Sequence, residues 1–213
     1  MIKTMGIVFL ILITPAAGFA GYKVPVNTSS TPFGIGISTG YFGTKVSTPG
    51  FGYISPDNWI ESWYIEGSYT VHKHVDVFAN YGYSNMIGNG TNSDITTTLT
   101  THIITAGVRY QYELSKRFIP YGELGVSGYI GNVDVSAQLQ DINKTAYAVA
   151  PEISAGFYLP VIIPSNSHTT VGIQFSFGLF RDYLVKAAYF DFGYLGKITI
   201  DGQRITIGLR VAF

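Results

Sequence analysis

The end of the chain, residues 203–213 (QRITIGLRVAF), alternates strictly between apolar side chains and polar or very small ones. Successive side chains of an extended strand point to opposite faces, so one face carries Ile205, Ile207, Leu209, Val211 and Phe213. The opposite face carries Arg204, Thr206, Gly208, Arg210 and Ala212. That second face is too polar for a protein core and has too few long side chains for a solvent face. The pattern predicts a strand of a closed barrel in lipid, apolar outward and polar inward, because hydrocarbon offers no partner for charges or unpaired backbone groups.

Seven earlier segments repeat this alternation, at 33–43, 59–71, 75–84, 102–113, 118–130, 146–159 and 169–181. With the terminal segment they make eight, an even number and the smallest barrel that closes well. The sequence therefore predicts an all-β fold, an eight-stranded antiparallel up-and-down transmembrane β-barrel. Pro151 lies inside the sixth segment, where it removes a ladder hydrogen bond, and this predicts a β-bulge there.

The connections between these segments alternate in length. Long loops are predicted at 44–58, 85–101, 131–145 and 182–202, and short turns at 72–74, 114–117 and 160–168. Outer-membrane barrels have short periplasmic turns and longer external loops, so both termini are predicted to be periplasmic. The Thr-rich run in the second long loop indicates strands that extend beyond the membrane.

The start of the chain has the pattern of an export signal. Lys3 precedes a short apolar run at 6–13, and Gly18-Phe19-Ala20 offers small residues at a cleavage site. A transmembrane helix needs about 20 apolar residues, and this run is shorter. We therefore predict a signal peptide at 1–20 that directs export through the inner membrane, a periplasmic N-terminal segment at 21–32 and the barrel domain at 33–213.

Composition narrows the functional classes. The 213 residues are 46% hydrophobic and only 12% charged, about half the charged fraction usual for soluble domains. The formal net charge is zero and no basic cluster interleaves with aromatic residues, so nucleic acid is not an expected partner. Cysteine is absent, and Asp182, Asp191 and Asp201 are too scattered to hold calcium. No metal or cofactor is predicted.

The C-terminal residues Thr206 to Phe213 fit the polar-x-Gly-x-x-hydrophobic-x-hydrophobic signal of outer-membrane barrels. With this signal and eight alternating segments, the chain resembles the small OmpA/OmpX-like barrel family. The resemblance implies a protein integral to the cell outer membrane, in contact with its lipid and lipopolysaccharide. It also implies that the barrel-assembly machinery reads Thr206, Gly208, Val211 and Phe213.

Strand parity places several charged residues in the lumen, namely Glu66, Arg109, Glu123, Glu152 and Arg210, with Asn80 and Gln174 at similar depth. One interpretation is an ion gate or proton path, which would make the protein a narrow channel or transporter for small or hydrophobic solutes. The other is a plug of ion pairs, because an eight-stranded interior is just wide enough for side chains to fill it. We favour the plug, and with it a non-enzymatic barrel that gives envelope integrity and displays surface loops.

The last long loop is unusually apolar for exposed sequence, and large exposed apolar patches tend to mark interaction sites. One interpretation is that a host or surface partner binds Tyr183, Leu184, Tyr189, Phe190, Phe192 and Tyr194. The other is that these residues prolong the flanking strands and pack on the other loops, or belong to the upper aromatic girdle. A lipid A-modifying enzyme would need a histidine near the external rim, where only His102 lies. Pairing it with Ser93 or Thr100 and Asp94 rests on proximity alone, so no enzyme is predicted.

Overall fold

The computed structural model describes residues 33–46, 57–89, 95–115, 117–137, 140–162, 170–180, 189–191, 193 and 197–212. The predicted signal peptide and the N-terminal segment at 21–32 lie outside these ranges. Within them, no helix is long and apolar enough to cross a membrane.

The described residues form nine strands in chain order: β1 (Phe33–Val46), β2 (Asp57–His72), β3 (Val75–Asn89), β4 (Ile95–Gln111), β5 (Ile119–Ala137), β6 (Gln140–Ile162), β7 (Thr170–Phe180), β8 (Tyr189–Asp191) and β9 (Lys197–Ala212). Each strand from β1 to β6 pairs antiparallel with the next one, β7 pairs with β9, and β9 pairs back with β1. The short β8 adds to β9 through Phe190↔Ile198. The predicted eight-stranded up-and-down barrel is confirmed, with β8 as a small addition outside the ring.

Several strands are longer than predicted at one end of the barrel. We call this end, where β3 meets β4 and β5 meets β6, the outer end, because the alternation of loop lengths predicts it to be external. The predicted loops 85–101 and 131–145 are wrong in part, since β3 runs to Asn89, β4 begins at Ile95 and only two residues separate β5 from β6. Continuous cross-strand pairing, such as Thr98↔Asp134, holds these extensions as sheet. The Thr-rich run accordingly lies in β4.

Two further details differ from prediction. The predicted loop 182–202 contains β8 and the first residues of β9, which starts at Lys197. No bulge occurs at Pro151, where the β5–β6 register is continuous through Val126↔Pro151. The described pairing of β6 with β7 begins one residue later, at Glu152↔Phe180, so on that side Pro151 has no described ladder to interrupt. Irregularities in register lie instead near Phe42, Thr70 and Pro160.

The two faces of the wall differ in polarity. Outward apolar residues are exposed, as with Ile65 at 58% and Leu209 at 62%, whereas inward Thr105 and Arg109 are both at 0%. Charged and hydroxyl groups thus line the axis, and an apolar band surrounds the barrel. This is the arrangement that a lipid environment requires.

The seam between β1 and β9 closes the ring through very close backbone contact. A Cβ atom at Gly208 would lie 2.3 Å from the carbonyl oxygen of Ile37 and 2.4 Å from Cβ of Ser38. A Cβ atom at Gly40 would lie 2.0 Å from the carbonyl oxygen of Ile205. Both positions therefore require glycine, for lack of space.

Candidate functional site in the barrel interior

Arg109 is the centre of the polar interior. The register sets it opposite Asp76 on β3 and Glu123 on β5. Its Nε donates to Oε1 of Glu123 at 2.6 Å, and its Nη2 donates to Oε2 of Glu66 at 2.6 Å. The guanidinium carbon lies 4.7 Å from the ring centre of Tyr121, within cation–π range. A fully buried cation is thus held by two carboxylates and an aromatic face.

Hydroxyl groups complete the coordination of the two carboxylates on β5 and β6. Ser154 Oγ donates to Glu123, and Ser127 Oγ donates to Oε2 of Glu152 at 2.5 Å. Thr105 and Ser127 share a hydrogen bond of 2.7 Å between their hydroxyl oxygens. These hydroxyls provide the buried carboxyl oxygens with hydrogen bonds in place of those that water would supply.

Glu152 also forms an ion pair with Arg204, whose guanidinium carbon lies 5.1 Å from the ring centre of Tyr64. Arg204 is buried on β9, six residues before Arg210 and on the same inward face. This pair joins β6 to β9 across the lumen, past the intervening strand β7.

A third group surrounds Asp76. Arg210 Nη2 donates to Oδ2 of Asp76 at 3.0 Å and to Oγ of Ser68 at 2.9 Å. Oδ1 of Asp76 accepts from Thr70 Oγ1 at 2.8 Å and from Gln111 Nε2 at 3.1 Å. The last strand is thereby linked to β2, β3 and β4 in the interior.

We refer to these three groups together as the ionic layer. Its charged members are Arg109, Arg204, Arg210, Glu66, Asp76, Glu123 and Glu152. The structure places all five charged residues predicted for the lumen in this layer, and Asn80 is buried beside them. The side chain of Gln174 lies outside the described part of the molecule. The alternation of the segments 75–84 and 203–213 puts Asp76 and Arg204 on the inward face, but neither was included among the predicted lumen charges. Their inward position and their opposite charges could have identified both residues from the sequence.

The outer half of the interior contains a cluster of buried apolar side chains, together with the buried hydroxyl residues Ser62, Ser84, Thr97 and Thr101. Leu99, Ile103, Tyr129 and Val133 are almost completely buried, and they pack with Ile60, Tyr64, Ala146 and Ala150. The register places the Ile103↔Tyr129 and Leu99↔Val133 pairs on the outer side of Thr105↔Ser127. This apolar layer, defined by these eight residues, therefore lies above the ionic layer. Sequence reasoning missed this layer. Leu99 and Val133 were assigned to loops, and the other six residues lie in predicted strands, where only charged and amide side chains were considered for the interior.

The remaining predicted residues lie on β9, on β8 or outside the described ranges. Thr206 is buried, Gly208 is at the seam, Val211 pairs with Ile35 and Val171, and Phe213 lies outside the described residues. Of the predicted partner-binding residues, Tyr189 and Phe190 belong to the backbone of β8, and the other four lie outside the described ranges.

His102 faces outward, where its Nδ1 lies 2.7 Å from the hydroxyl oxygen of Tyr81. Ser93 and Asp94, its suggested partners, lie outside the described residues. Among those that are described, no group of three or more histidine, aspartate or glutamate side chains is placed to hold a metal ion.

Comparison with known proteins gives the fold. No family model matches the chain, and no curated protein matches it. Among solved structures, Neisserial surface protein A is similar at a TM-score of 0.52 and 12% identity, over 85% of this chain and 97% of that one. Ail, the attachment invasion locus protein of Yersinia pestis, is similar at a TM-score of 0.50 and 17% identity, over 84% of this chain and 99% of that one. The chain has the fold of the small outer-membrane barrels, as its sequence resemblance implied.

Proposed function

We propose that this chain is an integral outer-membrane protein whose filled barrel contributes to envelope integrity and displays its outer hairpins for adhesion or partner binding. The observation that carries the proposal is the polarity of the wall, with seven charged side chains in ion pairs inside and apolar side chains exposed outside. A soluble ligand-carrying barrel would have the opposite arrangement, with charges in water and apolar residues around its cavity. Without lipid around the barrel, the exposed apolar band would be in contact with water.

Two layers of buried side chains in the interior support a structural role over transport. The ionic layer links β2, β3, β4, β5, β6 and β9, and the apolar layer occupies the interior above it. Breaking one partner of a buried ion pair costs about 3–5 kcal/mol, so retention of these residues is explained by stability alone. A narrow channel is the competing proposal, and it requires a continuous path through both layers.

Export and assembly belong to the same proposal. The N-terminal signal would direct the chain through the inner membrane, and the assembly machinery would read the C-terminal residues. Gly208 supports this. Glycine is the only residue type that fits at this position of the seam, and the same position is the glycine of the assembly signal. The chain would then contact the lipid and lipopolysaccharide of the outer membrane.

Two measurements test the proposal. Cell envelopes are extracted with sarkosyl, and the folded state is followed as heat-modifiable migration on gels. We expect the chain in the insoluble envelope fraction, whereas recovery from the periplasm would refute the membrane location. In planar bilayers we expect no conductance from the purified chain, and reproducible single-channel steps would favour the channel.

The partner-binding part is tested separately by deleting residues 185–195. We expect the barrel to assemble, because the eight ring strands do not include β8. Binding to cells or to a surface partner should fall in the deletion variant. Unchanged binding would exclude this segment as the partner site, and failure to assemble would show that the segment is needed for folding.

A further inference from the structure

Three neighbouring strands carry short polar side chains on their outward face near the outer end of the barrel. One register row across β4, β5 and β6 consists of Thr98, Asp134 and Asn143, and the next row toward the membrane band consists of Thr100, Asn132 and Thr145. The outermost row is Thr96, Ser136 and Asp141. We call these nine positions the polar outer face.

The polar outer face continues the lipid-facing wall. The register row directly below it contains His102, Ile130 and Tyr147, and Tyr147 is 72% exposed. On β5 its members share the outward parity of Leu124 and Val126, which belong to the apolar band. The polar outer face therefore points laterally, parallel to the membrane surface, toward the molecules that surround the barrel.

Its height exceeds a phospholipid headgroup layer. Thr100 and Thr96 are separated by four residues, or about 13 Å along a strand, which a strand tilt of about 35–45° reduces to about 10 Å of height. The headgroup region adds only about 5–8 Å to each side of the hydrocarbon core. The outer rows thus reach a level that phospholipid headgroups do not fill but that the saccharide of a glycolipid does.

The chemistry of the face favours a neutral hydrogen-bonding partner. None of its nine positions is Lys, Arg or Glu, and its two charges are the carboxylates of Asp134 and Asp141. Cross-strand hydrogen bonds already hold the side chains, from Asn143 to Asp134 and from Thr145 to Asn132. Short, held side chains lose little rotamer entropy on binding. Two carboxylates without a cation disfavour phosphate and sulfate, whereas sugar hydroxyls both donate to carboxylates and accept from hydroxyls and amides.

We propose that the polar outer face binds neutral sugar residues of the glycolipid that surrounds the barrel in the outer leaflet. The exposed ring of Tyr147, at the lower margin of the face, adds an aromatic surface beside these polar groups, at a boundary where Tyr is suited to contact both apolar and wet surroundings. This inference rests on the proposed membrane location and adds to it a specific lateral partner.

The test compares three membranes. The full chain is refolded into vesicles of phosphatidylcholine alone, with lipopolysaccharide that carries a complete hexose core, or with lipopolysaccharide truncated before the hexoses. The temperature at which the folded gel band disappears reports the stability of the barrel. We expect the complete core to raise this temperature by several degrees more than the truncated form does.

Two matched variants locate the effect. Thr96→Val, Thr98→Val and Thr100→Val together remove three hydroxyls while keeping side-chain shape and strand propensity. This variant should fold, and the difference in stabilisation between the two lipopolysaccharides should be mostly lost. The corresponding triple Ser variant keeps the hydroxyls and should keep the difference.

Equal stabilisation of the native chain by both lipopolysaccharides would assign the effect to the shared lipid and phosphates and would overturn the inference. A difference that persists in the Val variant would overturn it as well. Failure of the native chain to insert into any of the vesicles is a distinct result, because it refutes the membrane location itself.

Discussion

Arg109 and Glu66 lie on β4 and β2, which are not neighbours in the sheet, and their side chains meet at 2.6 Å across the interior. The same guanidinium also binds Glu123 on the other side. One arginine therefore connects three strands, of which only β4 and β5 are in direct contact. Loss of this side chain removes a link that backbone pairing does not replace.

Replacement of Arg109 by leucine should destabilise the barrel by about 3–5 kcal/mol, because Glu66 and Glu123 would remain buried without their cation. Urea unfolding of the chain in phospholipid vesicles measures this free energy. Arg117→Leu, at the exposed β4–β5 turn, is the matched control and should change stability by less than about 1 kcal/mol. Similar values for the two variants would contradict a structural role for the ionic layer.

Replacement of Glu66 by glutamine should not make the barrel conduct ions. Glu66 lies in the ionic layer, and we expect the fully buried Leu99 and Ile103 to keep the interior closed on its outer side. Single-channel recording in planar bilayers provides the measurement. Adding Leu99→Ala and Ile103→Ala to this variant thins the apolar layer, and conductance steps are expected only then. Steps in the single Glu66→Gln variant would show that the ionic layer alone closes the lumen.

Two glycines of the barrel should respond in opposite ways to alanine. At Gly208 the added Cβ would meet the backbone of Ile37 at 2.3 Å, so Gly208→Ala should sharply reduce the folded, heat-modifiable fraction. At Gly67 a Cβ would meet nothing within 4 Å, and Gly67→Ala should fold at least as well as the native chain. Equal folded yields on gels would disprove the steric argument for the seam.

A lysine on the outward face should be costly only within the apolar band. Val126→Lys should destabilise the barrel by about 2–4 kcal/mol, because this exposed position lies among apolar neighbours. Ser136→Lys lies ten residues further along β5 on the same face and should cost at most about 1 kcal/mol. Urea titration of both variants in the same vesicles gives the comparison, and a reversed order would mean that the band has been misplaced.

Strand parity was sufficient to predict the fold and the direction of most side chains. A period of two fixes which face a residue occupies, so Glu66, Arg109 and Glu152 could be assigned to the interior from sequence. Parity does not give the relative shift of neighbouring strands, which determines the partners. The contacts of Arg204 with Glu152 and of Arg210 with Asp76 depend on that shift and on reach across the lumen.

The outer ends of the strands were the least predictable. Gly131, Asn132 and Asp134 have low strand propensity, and a polar run of this kind is typical of a loop. Hydrogen bonding to β4 and β6 holds these residues in a sheet nevertheless. Because the predicted loops included Leu99 and Val133, the burial of these two residues was not foreseen. The other six residues of the apolar layer lie in predicted strands and were missed because only charged and amide side chains were considered for the interior.

The close approach at the seam has a consequence for how the first and last strands find their alignment. At Gly40 and Gly208 the opposing backbone leaves no room for any side chain. A slip of β9 by one residue would bring Ile207 or Leu209 to the point where Gly208 now meets Ser38, and the strands would be forced apart. The two glycines thus select one register of β1 and β9, and registers shifted by one residue are excluded before the barrel closes.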